Sequence, residues 1–138
     1  MGIYPLFHGW NRCVLPDRPR DQNLFCIVNT KIKFREPFRP FAPSILLENV
    51  HDYFELEEKD EYLTEQFMLR VAKIKENMRE KIPSVDHFGT GRLQAVSKKS
   101  SPIYYALIKS FYKLTGVPVI MNTSFNIRGE PIVNTPNE

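Results

Sequence analysis

The chain has 138 residues and a mass of 16.2 kDa, with 19 Lys plus Arg against 16 Asp plus Glu and a hydrophobic content of 42%. These values fit one globular domain with room for a core without disulfides, and they exclude a chain that is disordered throughout. The net charge of +3 hides a division: Glu48 to Glu65 carry eight acids and one base, a balance of −7, so the remainder stands at +10 and suits an anionic partner such as phosphate, nucleotide or nucleic acid. No apolar run approaches 20 residues, so no membrane-spanning helix is expected. The start of the chain lacks a basic segment followed by an apolar core and a cleavage site, which points to a cytoplasmic protein. Cys13 and Cys26 do not make a disulfide framework.

Residues 1 to 23 read as irregular, punctuated by Pro5, Pro16, Pro19, Gly2 and Gly9. Leu24 to Val28 is a short apolar run. Lys31 to Arg39 is predicted extended, because Pro37 and Pro40 bias preceding residues away from helix. Phe41 to Leu47 reads as a buried strand interrupted by Pro43, and Asn49 to Phe54 as one helical turn before the acidic loop. Phe67 to Ile74 fits both periods; strand is favoured for its first half. Leu93 to Val96 is a short strand. The clearest helix runs from Pro102 to about Thr115, with Ser101 as cap, Pro102 at the first position, Gly116 as the stop, and Ile103, Leu107, Phe111 and Leu114 on one face. Val117 to Met121 reads as a buried strand. Helix, tight glycine turn and strand together indicate an α/β fold.

Neither a P-loop nor a G-x-G-x-x-G fingerprint occurs. His8, His51 and His87 have no zinc-like spacing, so no metal site is expected within the chain. Cys26 reads as a small core residue rather than a nucleophile. Three elements suit anion chemistry. In the run from Lys31 to Phe41, an extended chain points Lys33 and Arg35 one way and Phe34 the other, so the phenylalanines could anchor a core while cations face a cleft. Pro37, Pro40 and Pro43 would fix Arg39 in place, and guanidinium forks suit phosphate oxygens. In the run from Val117 to Pro131, a buried strand opens into Asn122, Thr123, Ser124 and Asn126, then Arg128, where donors and acceptors can hold carbonyl, amide or phosphate groups. In Gly89-Thr90-Gly91-Arg92, backbone N–H groups can approach an anion beside an arginine. Each has a plainer reading as well: a solvated basic edge, a polar turn after a strand, and a hairpin turn.

Three blocks, IKFREPFRPFAPSIL (Ile32 to Leu46), GTGRLQAV (Gly89 to Val96) and TGVPVIMNTSFNIRGEPIVNTP (Thr115 to Pro136), taken in this order, strongly resemble the C-terminal domain of the NodU/CmcH carbamoyltransferases. The resemblance covers residues 29 to 138 and implies a YrdC-like α/β fold with a twisted, mostly open sheet and packed helices. Residues 1–28 match poorly and read as a leader or the remnant of an upstream domain, and the chain reads as truncated at its end. The resemblance further implies binding of carbamoyl phosphate and ATP, with Mg2+ accompanying the nucleotide, to form carbamoyl-adenylate. That intermediate would pass to an N-terminal ASKHA-type transferase domain, absent here, which holds iron and carbamoylates a hydroxyl of a sugar or other small molecule. Position by position, the resemblance implies that Lys33, Arg39, Arg92 and Ser124 form the catalytic pocket. Arg35 and Asn126 complete its pattern of paired cations and Ser-x-Asn, with Asn122, Thr123 and Arg128 beside them. The family shows a His-x-Asp-Gly-Thr pattern, whereas Asp86-His87-Phe88-Gly89-Thr90 lacks the Asp directly before the glycine.

Two other functions fit the same residues. Basic side chains interleaved with Phe34, Phe38 and Phe41 suit a nucleic-acid-binding module, although the phenylalanines also suit a core. A chain without its transferase domain could also be an inactive fragment or the partner-binding half of a split enzyme.

Overall fold

The computed structural model describes residues 26–57, 62–135 and 137, and all structural statements below concern them. It is a mixed α/β structure with two three-stranded sheets and several helices, as the sequence implied, and no closed barrel occurs among the described residues. In chain order the strands are β1 (Ala42–Leu46), β2 (Phe54–Glu55), β3 (Val71–Ile74), β4 (Thr90–Arg92), β5 (Gln94–Val96) and β6 (Val119–Asn122). The helices are α1 (Val50–Tyr53), α2 (Leu63–Gln66) and α3 (Pro102–Thr115).

One sheet has the order β5-β1-β6, with β1 parallel to β5 and antiparallel to β6. The other is the antiparallel ladder β2-β3-β4. All five residues of β1 are buried because the strand is covered on both faces. Ile45 enters a core with Phe54, Ala72 and Ile74 of the second sheet, while Leu46 turns the other way, to Tyr104, Ile108 and Phe111 of α3. Proline is rare in a central strand, yet β1 runs through Pro43 without interruption. Its pairing with β5 begins only at Ser44, so Pro43 has a ladder partner, Met121, on one side alone.

Helix α3 has the expected limits. Gly116 adopts the left-handed conformation at φ 73° and donates its N–H to the Tyr112 carbonyl. The Ser101 side chain makes no cap bond, and the buried face only partly matches the expected one: Phe111 is buried as expected, but Tyr104 and Ile108 are buried in place of Ile103 and Leu107, and Ile103 is 82% and Leu114 87% exposed. The face follows the partner, here Leu46, Val96 and Ile120, rather than the most hydrophobic stripe.

Other expectations change with tertiary context. Strand β3 occupies the second half of Phe67 to Ile74; the first half is the turn that ends α2, with Met68 at φ 55° and the Leu69 N–H donating to the Thr64 carbonyl. Residues 28–32 form one π-helical turn rather than an extended run, closed by the Lys33 N–H on the Val28 carbonyl at 2.8 Å. Pro37 restricts only Glu36 directly, so it does not prevent helix five residues earlier. The Asn49 to Phe54 turn (α1), the Leu93 to Val96 strand (β5) and the Val117 to Met121 strand (β6) are present within a residue or two. Cys26 is exposed rather than a core residue. Residues 1–23 and Cys13 lie outside the described residues. Among the described residues no helix is long and apolar enough to cross a membrane.

Candidate functional site

β1 and β6 pair with Ala42 opposite Asn122, so the start of β1 and the end of β6 lie at one edge of the first sheet. The segment leading into β1 and the loop leaving β6 therefore meet there, and both carry the residues singled out in the sequence. They divide into an open cleft and a closed knot.

The cleft has a volume of about 440 Å³ and is lined by Arg35, Arg39, Pro40, Phe41, Ala42, Val71, His87, Thr90, Gly91 and Arg92. Its cations come from two places. Arg35 and Arg39 sit on the segment before β1, and Arg92 ends β4. Strand β4 reaches β1 because residue 91 is glycine: a Cβ there would stand 3.0 Å from Pro43 Cγ and 3.5 Å from the Val85 carbonyl oxygen. Arg35 is fixed on two sides. Its Nε donates to Asn29 Oδ1 at 2.7 Å, and its guanidinium carbon stands 4.8 Å from the Phe41 ring centroid, a cation–π distance. Burial, and then the like charge of Arg39, push the Arg35 pKa below its ordinary value. Two arginines lining one cleft suit an anion. Arg39 is more exposed and has a long contact to the Glu36 carboxylate, 4.0 Å from Nε. Arg92 is exposed, and no carboxylate pairs with it among the described residues.

The knot is the opposite. Lys33 is buried, and its Nζ donates to the carbonyl oxygens of Ser124 and Asn126, both at 2.5 Å, to Asn126 Oδ1 at 2.8 Å and, more distantly, to Ser124 Oγ at 3.4 Å. Ser124 Oγ donates to Asn126 Oδ1 at 2.6 Å, and Asn126 Nδ2 to the Glu130 carbonyl at 3.0 Å. The Arg128 N–H donates to the Lys33 carbonyl, closing the ring from the backbone side. An ammonium has three protons, and here protein oxygens surround them.

The structure thus brings Arg35, Arg39 and Arg92 together, and separately Lys33, Ser124 and Asn126. An extended chain was expected to aim Lys33 and Arg35 alike. Instead Phe34 stands at φ 50° between them, and the two cations part. Phe34 and Phe38 are exposed; only Phe41 joins the core. Asn122 is buried beneath the site, with Nδ2 donating to Gln94 Oε1 at 2.7 Å and to Met68 Sδ at 3.7 Å, while Ser44 Oγ donates to the same Gln94 oxygen. Thr123 is buried next to it. Arg128 is exposed and pairs with Glu36 at 3.6 Å.

Asn29 is the organising residue that the sequence did not reveal. It is fully buried, and its Nδ2 donates to the carbonyls of Pro37 at 3.1 Å and Arg39 at 2.9 Å while its Oδ1 receives Arg35. One amide therefore ties the turn carrying both arginines. An asparagine just after an apolar run is the only local signal, and its partners lie 6 to 10 residues away. His87, whose spacing in the sequence suits no metal site, lines the cleft. Among the described residues no three His, Cys, Asp or Glu side chains converge as a metal site.

Comparison with known proteins places these features in context. The sequence model of the family described as carbamoyltransferase C-terminus matches residues 10–138. The chain is 39% identical over 148 residues to protein sll1178 of Synechocystis sp., covering 92% of this chain and 23% of that protein. It is 42% identical over 129 residues to nodulation protein NolO of Bradyrhizobium diazoefficiens, covering 93% and 23%, and 41% identical over 126 residues to nodulation protein NolNO of Sinorhizobium fredii, covering 91% and 18%. The chain thus spans about a fifth of the length of these curated relatives.

Proposed function

We infer the function from one premise: this chain belongs to the carbamoyltransferase C-terminus family. Within a carbamoyltransferase, its cleft binds carbamoyl phosphate and ATP and assembles carbamoyl-adenylate. The observation that carries this reading is the convergence of Arg35, Arg39 and Arg92 on one cleft of about 440 Å³. Both substrates are polyanions, and phosphoryl chemistry of this kind depends on positioning and on cations aimed at oxygens rather than on a protein nucleophile. In the balanced reaction water takes the phosphoryl group of carbamoyl phosphate, leaving carbamate and inorganic phosphate. A carbamate oxygen then bonds to the α-phosphorus of ATP, the bond to the β-phosphate oxygen breaks, and pyrophosphate leaves.

Arg92 and Arg39 hold phosphate oxygens, and Arg35, aimed by Asn29 and Phe41, supplies a preoriented fork. Lys33, Ser124 and Asn126 position the loop after β6 against the segment before β1. The lining of the cleft contains no carboxylate, so Mg2+ fits as an ion carried by the nucleotide phosphates. The activated carbamoyl group is then used by an N-terminal ASKHA-type transferase domain or subunit, where any iron resides, on a sugar or other small-molecule hydroxyl. A bounded cleft of about 440 Å³ suits a nucleotide-sized polyanion, which favours this reading over a track for nucleic acid.

Isothermal titration and thermal melting of the 138-residue chain test the proposal. Carbamoyl phosphate and ATP with Mg2+ are expected to raise the melting temperature, since a ligand that binds only the folded state at a hundred times its Kd adds about 2.7 kcal/mol. Arg92→Ala and Arg39→Ala are expected to abolish the rise while leaving the unliganded melting temperature unchanged. A well-folded chain that binds neither substrate at millimolar concentration overturns it.

A further inference from the structure

His87 and Thr90 exchange both backbone hydrogen bonds, at 2.8 and 3.1 Å, around a two-residue turn. Its central residues, Phe88 at φ 52° and Gly89 at φ 81°, are both left-handed, which is a type I′ turn. Such a turn favours Asn or Asp before glycine, and a bulky side chain at positive φ is strained. Phe88 is moreover 91% exposed, so burial in the fold does not offset that strain. Its ring nevertheless has a defined neighbour: the His87 imidazole, edge-to-face at 4.8 Å between centroids. The tip is also braced from behind. Asp86 Oδ1 accepts the Gly89 N–H at 2.6 Å, Asp86 Oδ2 accepts Arg79 Nε at 2.8 Å, and Thr90 Oγ1 donates to the His87 carbonyl. His87, Thr90, Gly91 and Arg92 line the arginine cleft, so the turn that carries Phe88 stands at its rim, although Phe88 itself does not line it.

We propose that Phe88, backed by His87, is a stacking platform for a nucleobase whose phosphates lie on Arg35, Arg39 and Arg92. The inference rests on reading the cleft as a nucleotide site and adds where the base goes. Thr90 and Arg92, two residues apart, share one face of β4, so the backbone that follows the turn carries Arg92 on the cleft side a short way along the strand. Phe88 and Arg92 thus flank the same end of the cleft, the arrangement that a base and its phosphates would need. Stacking has little dependence on which base is offered, so the platform confers affinity for nucleotides over bare polyphosphates rather than choice among purines.

The test compares ATP with inorganic tripolyphosphate by titration calorimetry on the whole chain and on Phe88→Asn and Phe88→Trp. Phe88→Asn is expected to melt no lower than the parent, because Asn suits the turn. It should bind tripolyphosphate unchanged and ATP more weakly by roughly 5- to 100-fold. Phe88→Trp should retain the ATP affinity. If Phe88→Asn binds ATP as tightly as the parent, or if the parent gains nothing from ATP over tripolyphosphate, the platform is overturned and the cleft stands. If the parent binds neither, both readings fall. A Phe88→Asn variant that melts several degrees lower overturns the claim that the ring has no structural role.

Discussion

Lys33 and Arg35 are two residues apart, and the chain turns them to opposite ends. The Lys33 ammonium is buried and ringed by the oxygens of Ser124 and Asn126. The Arg35 guanidinium is held by one nitrogen and one ring face, with its outer edge on the cleft. What separates them is one left-handed residue, Phe34 at φ 50°. The contrast shows that a cation's role depends on how many of its donors the protein itself satisfies. A lysine ringed by carbonyls is satisfied by the fold; an arginine with donors left over is available to a ligand. Basic side chains beside small polar ones can mark either.

The sharpest way to break the contrast is to remove each charge in turn. Lys33→Met leaves the Ser124 and Asn126 carbonyls without the donor they share and places an apolar tip beside the Asn126 amide oxygen, which keeps only Ser124 Oγ. Each buried unsatisfied group costs about 1–3 kcal/mol, so the loss is expected to reach roughly 3–5 kcal/mol in urea unfolding. Arg39→Ala should move stability by no more than about 0.5 kcal/mol, as surface changes do. A Lys33→Met variant with an unmoved midpoint would show that the knot is not structural.

Asn29 joins the two behaviours, since it is buried like Lys33 yet aims Arg35. Asn29→Leu deprives the Pro37 and Arg39 carbonyls of a donor and frees Arg35, with an expected cost of about 2–3 kcal/mol. Asn29→Asp keeps the acceptor for Arg35 and loses the two donations. It should therefore be destabilised similarly yet retain more polyphosphate affinity, read by calorimetry. Equal affinities in the two variants would mean that Arg35 needs no aiming.

Gly91 tests whether the cleft depends on contact between the sheets. A methyl at 3.0 Å from the Pro43 ring has no flexible neighbour to displace, because Pro43 is rigid and lies in the central strand. Gly91→Ala is expected to cost about 1–3 kcal/mol, as overpacking does. Arg92 would shift with β4, and polyphosphate affinity would fall with it. Normal affinity in a destabilised Gly91→Ala chain would separate cleft geometry from sheet packing.

Elements with strong local signals were legible from sequence. Pro102 and Gly116 delimit α3, and the run from Val117 to Met121 yields β6, because their determinants lie within a few residues. Elements whose outcome depends on distant partners were not. The exposed face of α3 carries Ile103 and Leu114, and no local rule says that Tyr104 and Ile108 meet Leu46 instead. The π-helical turn at 28–32 was missed because the prolines after it suggested extension, while the capture of Lys33 by a loop 91 residues onward was invisible. Of the candidate site, Arg35, Arg39 and Arg92 were readable as anion-binding types. Their convergence was not, since it requires Asn29, Gly91 and the pairing of β1 with β6.

Glu36 offers the finest adjustment, because its carboxylate makes a long contact with the cleft residue Arg39. Its own backbone N–H, followed by Arg128, Arg39 and Arg35, holds the carboxyl below its usual range. A depressed carboxyl contributes stability above its unfolded value and loses it as pH falls through the folded one. Over that acidic window Glu36 also releases Arg39, which lines the cleft and whose donors then become available to a bound anion. Glu36→Gln should reproduce the release at neutral pH, and exposed pairs of this length predict an increase in pyrophosphate affinity of only roughly twofold. The gain should shrink as salt screens the pair. Calorimetry at two ionic strengths reads both effects; a Glu36→Gln chain that binds pyrophosphate more weakly would mean that Glu36 aims Arg39 at the ligand rather than competing for it.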